Sequence, residues 1–194
     1  MWTTASPVHC LPPLYLMRHG QTFWNAEGRL QGALDSPLTP LGVAQAKTLQ
    51  QITAHIGGCC VSSPQGRAQQ TSQLVFAGRD WTTDNRLSEI GIGGFAGRLL
   101  IDVQTSHAAV FKGAPLDWYN HCPNGEGFAA LANRCRSFLT DLQGSTLVVT
   151  HGITLRMLRL LALGRDPAMI AEGDMGQGIV YYVKDGVCEV LDAA

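Results

Sequence analysis

Two arginines and two histidines stand at or just beyond the ends of short, apolar, strand-length runs. Arg18-His19 follows Leu14 to Met17, His151 follows Thr146 to Thr150, and Arg67 lies one turn beyond Ser63. In an open α/β sheet, ligands gather in the crevice outside the carboxyl ends of the strands, where these side chains would collect. Guanidinium forks suit the paired oxygens of phosphate or carboxylate, so the four residues describe an anion site. Positive neighbours lower a histidine's pKa and keep its lone pair free for nucleophilic attack. The chemistry that fits is phosphoryl transfer. With arginines supplying the charge stabilisation that magnesium supplies elsewhere, no metal and no cofactor is expected.

The elements that must position these residues follow from pattern. After the first strand, Gly20 to Thr39 is a polar loop of a length that is usually functional. Thr39-Pro40 reads as N-cap and first helical residue of a helix to about His55, with Leu41, Ala44, Leu49 and Ile52 inward. Cys59 to Ser63 is a second strand, Pro64 to Ala77 a helix, and Trp81 to Leu87 a weak strand. Leu99 to Tyr119 is helical but broken by Gly113 and Pro115. Phe128 to Leu142 repeats Phe128, Leu131, Cys135, Phe138, Leu139 and Leu142 at helical spacing. The buried strand Thr146 to Thr150 leads into a helix ending near Leu163. Ile179 to Lys184 and Val187 to Leu191 are joined by the hairpin signal Asp185-Gly186. Strands alternating with helices predict an α/β fold: a three-layer α/β/α sandwich around a mostly parallel sheet, with an antiparallel strand at one edge.

The 194 residues suit one domain, 1–194, and no linker divides them. Fourteen Lys and Arg against fifteen Asp and Glu leave a formal charge of -1 without a basic stripe, which argues against nucleic acid and anionic membrane as partners. Met1 to Cys10 has no Lys or Arg and no long apolar core, so a cytoplasmic protein without leader is expected. Six cysteines without Cys-x-x-Cys spacing read as free thiols, and no apolar stretch reaches bilayer length.

Arg18-His19-Gly20 with Thr22 and Asn25 resembles the signature of the histidine phosphatase superfamily, the phosphoglycerate mutase-like family. The resemblance continues through Gln31-Gly32, Asp35-Ser36-Pro37-Leu38-Thr39, Ser63-Pro64 with Arg67-Ala68, Leu87 with Glu89, Gly125-Glu126, and Val149-Thr150-His151-Gly152. It implies that His19 attacks phosphorus and becomes a phosphohistidine. It further implies that Arg18, Arg67, His151 and Asn25 hold the phosphoryl oxygens, and that Glu89 serves the leaving group and then water as acid and base. The implied activity is metal-independent hydrolysis of a small phosphomonoester, with mutase-type transfer or a weakly catalytic phospho-ligand binding module as the alternatives.

One departure concerns Phe95-Ala96, where family members often carry Trp-Glu; four glycines between Gly91 and Gly97 surround it and make ordering of the Glu89 loop more costly. Residues 98–121 are expected to lie over the pocket as a lid offering Val110, Phe111, Trp118 and Tyr119, with Arg98 and Lys112 its only cations. So few cations favour a monophosphate with a partly apolar or aromatic leaving group. Pro123 to Phe128 resembles the corresponding motif of alpha-ribazole phosphatases, and family mutases carry extra sequence after the last strand. His55, Arg156 and Arg159 read as structural, and Glu126 equally as a helix-start carboxylate or a site residue. The oligomeric state stays open.

Overall fold

The structure, a computed structural model, describes residues 11–173 and 175–192. Met1 to Cys10, read above for the absence of a leader, lie outside them. In chain order the principal elements are β1 (Leu14–Arg18), α1 (Phe23–Ala26), α2 (Pro40–Thr53), β2 (Cys59–Ser62), α3 (Gly66–Val75), β3 (Thr82–Thr83), α4 (Leu100–Ser106), α5 (Gly127–Thr140), β4 (Thr146–Thr150), α6 (Gly152–Ala162), β5 (Val180–Lys184) and β6 (Val187–Leu191).

The six strands form one sheet in the order β3-β2-β4-β1-β5-β6. The first four are mutually parallel, and β5 pairs antiparallel with both β1 and β6. The reversed strand is therefore one place in from the edge, because the hairpin adds two strands rather than one. Its turn has Asp185 at φ 49° and Gly186 at φ 76°, the pair of left-handed residues that lets a two-residue loop follow the strand twist.

Alternation along the strands builds the three layers. Leu14, Leu16 and Val148 point to a core shared with Leu131, Cys135 and Phe138 of α5 and Leu155 and Leu158 of α6. Met17, Leu147 and Val149 point the other way, against Ala46 and Leu49 of α2 and Ala68 and Val75 of α3. β4 is buried along its whole length, as its apolar run requires.

Register explains why the site residues meet. Arg18 pairs with Thr150 and Ser62 with Val149 across parallel ladders, so His19, His151 and Ser63 leave adjacent strand ends together. Backbone bonds continue just past the strands, from the His19 N–H to the Thr150 carbonyl and from the Ser63 N–H to the Val149 carbonyl, each 2.9 Å.

Two local expectations need correction. In α2, the Thr39 cap and Pro40 start stand as expected, with the Thr39 hydroxyl accepting the Gly42 N–H at 3.0 Å. The inward stripe, however, is Gly42, Ala46, Leu49 and Thr53, while Leu41 and Ala44 face solvent. Close approach selected small residues over apolar ones: a Cβ on Gly42 would collide with the Gln21 carbonyl, and one on Gly20 with that of Gly42. The second concerns residues 81–87, where only Thr82–Thr83 pair as strand. The Asp84 carboxylate then accepts the Arg86 N–H at 2.8 Å and turns the chain into a 3-10 helix over Asn85–Leu87. Beyond β3, residues 98–121 form α4 and two 3-10 turns, Ala108–Phe111 and Asp117–His121, broken where Gly113 and Pro115 stand. Among the described residues no helix is long and apolar enough to cross a membrane.

Candidate active site

His19 is 3 % exposed at the end of β1. Its Nδ1 lies 2.7 Å from the Gly20 carbonyl oxygen, which can only accept, so Nδ1 carries the proton and Nε2 the lone pair. Burial first, then the Arg67 and Arg18 guanidinium groups, hold its pKa well below the ordinary histidine range. At neutral pH the ring is a neutral base.

His151 lies beside it, ring centroids 5.1 Å apart and tilted by 58°. Its Nε2 is 2.7 Å from the Ser63 hydroxyl, whose oxygen also accepts the Gln65 N–H at 3.3 Å. If the hydroxyl donates to Nε2, its own hydrogen is satisfied and Nδ1–H becomes a donor. That nitrogen is buried and has no hydrogen-bond partner. Burial first, then the Arg67 guanidinium, hold its pKa well below the ordinary histidine range as well.

Arg67 opens α3 and is 1 % exposed. Nη1 donates to the Leu34 carbonyl and to Asp35 Oδ1, each at 2.7 Å, and Nη2 to the Gly32 carbonyl at 3.0 Å. Asp35 also accepts the Gly66 and Arg67 backbone N–H groups, so it caps α3 from across the loop while fixing the guanidinium. Arg18 is held differently. Nη1 donates to the Met175 carbonyl at 3.2 Å, and the guanidinium lies so close to Gly152 that a Cβ there would come within 3.5 Å of it. The Nε atoms of both arginines are buried without partners.

The Glu89 carboxylate accepts N–H groups from Ile90 at 3.0 Å, Thr154 at 3.1 Å and Ile153 at 3.3 Å. Two of these belong to the first turn of α6, where an anion is favoured. The glycine-rich loop after it is ordered despite its composition. Gly91 N–H donates to Glu126 Oε2 at 3.1 Å, Glu126 N–H to the Gly91 carbonyl at 2.8 Å, and Arg134 Nε to Glu126 Oε1 at 2.6 Å. Glu126 is thus a brace for the loop that carries Glu89. Phe95 is buried against His107, ring centroids 5.0 Å apart, and contributes packing to the same loop.

These residues converge on one cavity of about 120 Å³, whose polar wall includes Arg18, His19, Asn25, Gln31, Arg67 and Glu89. Leu30, Ile90, Ile92 and Tyr119 form its apolar side. Asn25 Oδ1 accepts the Thr22 N–H at 3.1 Å, which leaves its amide nitrogen for the cavity. Of the six residues singled out in the sequence, all but His151 line the cavity itself, and His151 stands beside His19. From residues 98–121 only Tyr119 reaches the wall; Val110, Phe111 and Trp118 pack on the core instead.

Sequence reasoning attached no role to Asp35, Gln31 or Gln65. Asp35 and Gln31 sat in quoted motifs, whereas nothing in the pattern marked Gln65. Arg156 and Arg159 donate to the carbonyls of residues 170, 172 and 173, and neither is among the residues lining the cavity.

The sequence model of the histidine phosphatase superfamily (branch 1) matches residues 14–184. The chain belongs to this superfamily. A superfamily relative named "Putative phosphoserine phosphatase 2" from Hydrogenobacter thermophilus is 35% identical over 163 residues, 78% of each chain. A "Probable phosphoglycerate mutase GpmB" from Proteus mirabilis is 34% identical over 78% of this chain and 74% of its own. The crystal structure of the alpha-ribazole phosphatase from Shigella flexneri superposes with a TM-score of 0.81 at 26% identity, covering 93% of this chain and 96% of that one. Relatives of phosphatase name and of mutase name thus both match this chain in sequence.

The two buried imidazoles carry a stability consequence. An unfolded histidine takes up a proton near pH 6.5, whereas folded His19 and His151 do not until well below it. Below pH 6.5 the unfolded chain therefore binds more protons, and folding stability falls as pH falls towards the depressed values. The slope approaches about 1.4 kcal/mol per pH unit for each ring. Thermal melts between pH 7.5 and 5 should show Tm falling below pH 6.5. The fall should diminish in a His19→Asn, His151→Asn double variant.

Proposed function

We propose that the protein is a metal-independent phosphomonoester hydrolase working through a phosphohistidine at His19. The observation that carries this is a His19 ring with Nε2 free, on a cavity wall shared with Arg18 and Arg67, each of which has a buried Nε without a hydrogen-bond partner. Buried donors are ordinarily satisfied, and two on the same wall as one nucleophile suit the oxygens of a phosphoryl group, with His151 beside His19 as a further candidate. The Asn25 amide is a further donor.

In the first step the His19 Nε2 lone pair attacks phosphorus in line. The P–N bond forms as the P–O bond to the leaving group breaks, and its electron pair goes to oxygen with a proton from Glu89. In the second step Glu89 takes a proton from water, whose oxygen attacks phosphorus. The P–N pair returns to Nε2, phosphate leaves, and Glu89 is again protonated. Two easier displacements replace one difficult one.

Hydrolysis rather than mutase transfer fits the cavity wall. A phosphorylated acid would need a second cationic subsite. Arg29 is the remaining cation of the wall, and it is engaged by Glu27 at 3.0 Å and the Gly97 carbonyl at 2.8 Å. The apolar side formed by Leu30, Ile90, Ile92 and Tyr119 favours a small metabolite with a partly apolar or aromatic leaving group, for which alpha-ribazole phosphate is the first candidate. Residues 98–121 act as the lid of a single domain, with Tyr119 their contact to substrate. A cytoplasmic setting completes the reading, in keeping with buried thiols at Cys60, Cys122 and Cys135.

The test is phosphate release from an aryl phosphate in excess chelator, followed by 3-phosphoglycerate. Release undiminished by chelator, with phosphate freed and no 2-phosphoglycerate formed, is the expected result. Isomerisation without release would replace hydrolase by mutase, and loss of activity to chelator would sink the metal-independent mechanism.

A further inference from the structure

Gln65 stands at the N-terminal boundary of α3, yet its side chain makes no capping bond there. It is turned across the site. Nε2 donates to the Gly32 carbonyl at 2.8 Å, while Oε1 accepts the Glu89 backbone N–H at 2.8 Å and an Arg67 Nη2 hydrogen at 3.3 Å. The Gly32 carbonyl receives Arg67 Nη2 as well, at 3.0 Å. One amide therefore joins three parts of the cavity wall: the backbone of the acid, the guanidinium, and the loop at Gly32.

Glu89 is held at two points. Its carboxylate rests on the first turn of α6, and its main chain is tied by Gln65. A side chain anchored only at its carboxylate can pivot with its loop, and proton transfer tolerates little displacement. The donor must come within about 2.6–3.2 Å of the oxygen it serves, and a misplacement of about 1 Å can cost about 10²-fold.

We propose that Gln65 is a positioning residue, which sets the reach of Glu89 to the leaving-group oxygen by tying its backbone to Arg67 and Gly32. The role rests on the reading of Glu89 as general acid given above. It differs from mere stabilisation in one measurable respect. An alkoxide leaves only with a proton, whereas a dinitrophenolate leaves without one. Loss of acid positioning must therefore grow with the basicity of the leaving group, while partial unfolding lowers all rates alike.

Gln65→Met retains the length and volume of the side chain and removes its hydrogen bonds. The measurement is kcat/KM for 2,4-dinitrophenyl, phenyl and simple alkyl phosphates, by wild type, Gln65→Met and Glu89→Gln. Because kcat/KM covers the steps up to phosphohistidine formation, the shared hydrolysis step does not mask the trend. The ratio between substrates is also independent of the amount of folded enzyme. The expected result is a loss of about 10- to 100-fold on alkyl phosphate with less than about 2-fold on the dinitrophenyl ester, and a steeper trend of the same form for Glu89→Gln. A uniform loss, or none, in Gln65→Met beside a steep Glu89→Gln series would overturn the role of Gln65 alone. A flat Glu89→Gln series would overturn the acid reading and the proposal with it.

Discussion

Replacing His19 by Ala is expected to lower phosphate release by about 10⁴-fold or more, the scale seen when a covalent nucleophile is removed. No nearby group can substitute. His151 has its Nε2 engaged with Ser63 and does not line the cavity, whereas His19 does so with its Nε2 free. Binding should survive, because Arg18 and Arg67 are fixed by bonds that do not involve His19. Inorganic phosphate should therefore still raise the Tm of His19→Ala. An inactive variant that also fails to respond to phosphate would show a collapsed site and leave the chemical role of His19 unsupported.

The second large effect is expected at Arg67, even for a substitution that keeps the charge. Lys offers one ammonium where the guanidinium serves the Leu34 and Gly32 carbonyls and Asp35 together and keeps a buried, unpartnered Nε on a residue of the cavity wall. Arg67→Lys should lose about 10²- to 10³-fold in kcat/KM, comparable to removal of an oxyanion donor. It should also lose about 1–3 kcal/mol of stability, since the Leu34 carbonyl loses this donor and the Gly32 carbonyl keeps only the Gln65 amide. Asp35 is substantially exposed and tolerates the loss better than they do. Steady-state kinetics with denaturant melts on the same preparation check both parts. Wild-type kinetics in Arg67→Lys would show that Arg67 braces the Gly32 to Asp35 loop and does not hold the phosphoryl group.

Strand ends were the most legible part of this chain. A short apolar run terminated by Arg18-His19, by Ser63 or by His151-Gly152 has one physical reading in a parallel sheet, and the register of β1, β2 and β4 brings those residues together. Capping and turn chemistry were equally local, as at Thr39-Pro40 and Asp185-Gly186. The inward face of α2 was not legible by hydrophobicity, because Gly42 faces the Gln21 backbone and leaves no room for a side chain. Residues 98–121 were rightly expected to be interrupted, but which aromatic reached the cavity depended on packing, and only Tyr119 does. The ordering of the Glu89 loop was also out of reach of pattern. It depends on Glu126, 35 residues away from Gly91, and on a glutamine side chain that carries no sequence signature.

Trapping the intermediate addresses the account most directly. A substrate labelled at phosphorus would be mixed with enzyme, quenched in base within milliseconds, and the protein digested and sequenced by mass spectrometry. The account predicts label on His19, stable to base and labile to acid, that rises and decays at rates sufficient for turnover. Phosphate released at the full rate without label on His19, or label on another residue, would contradict it.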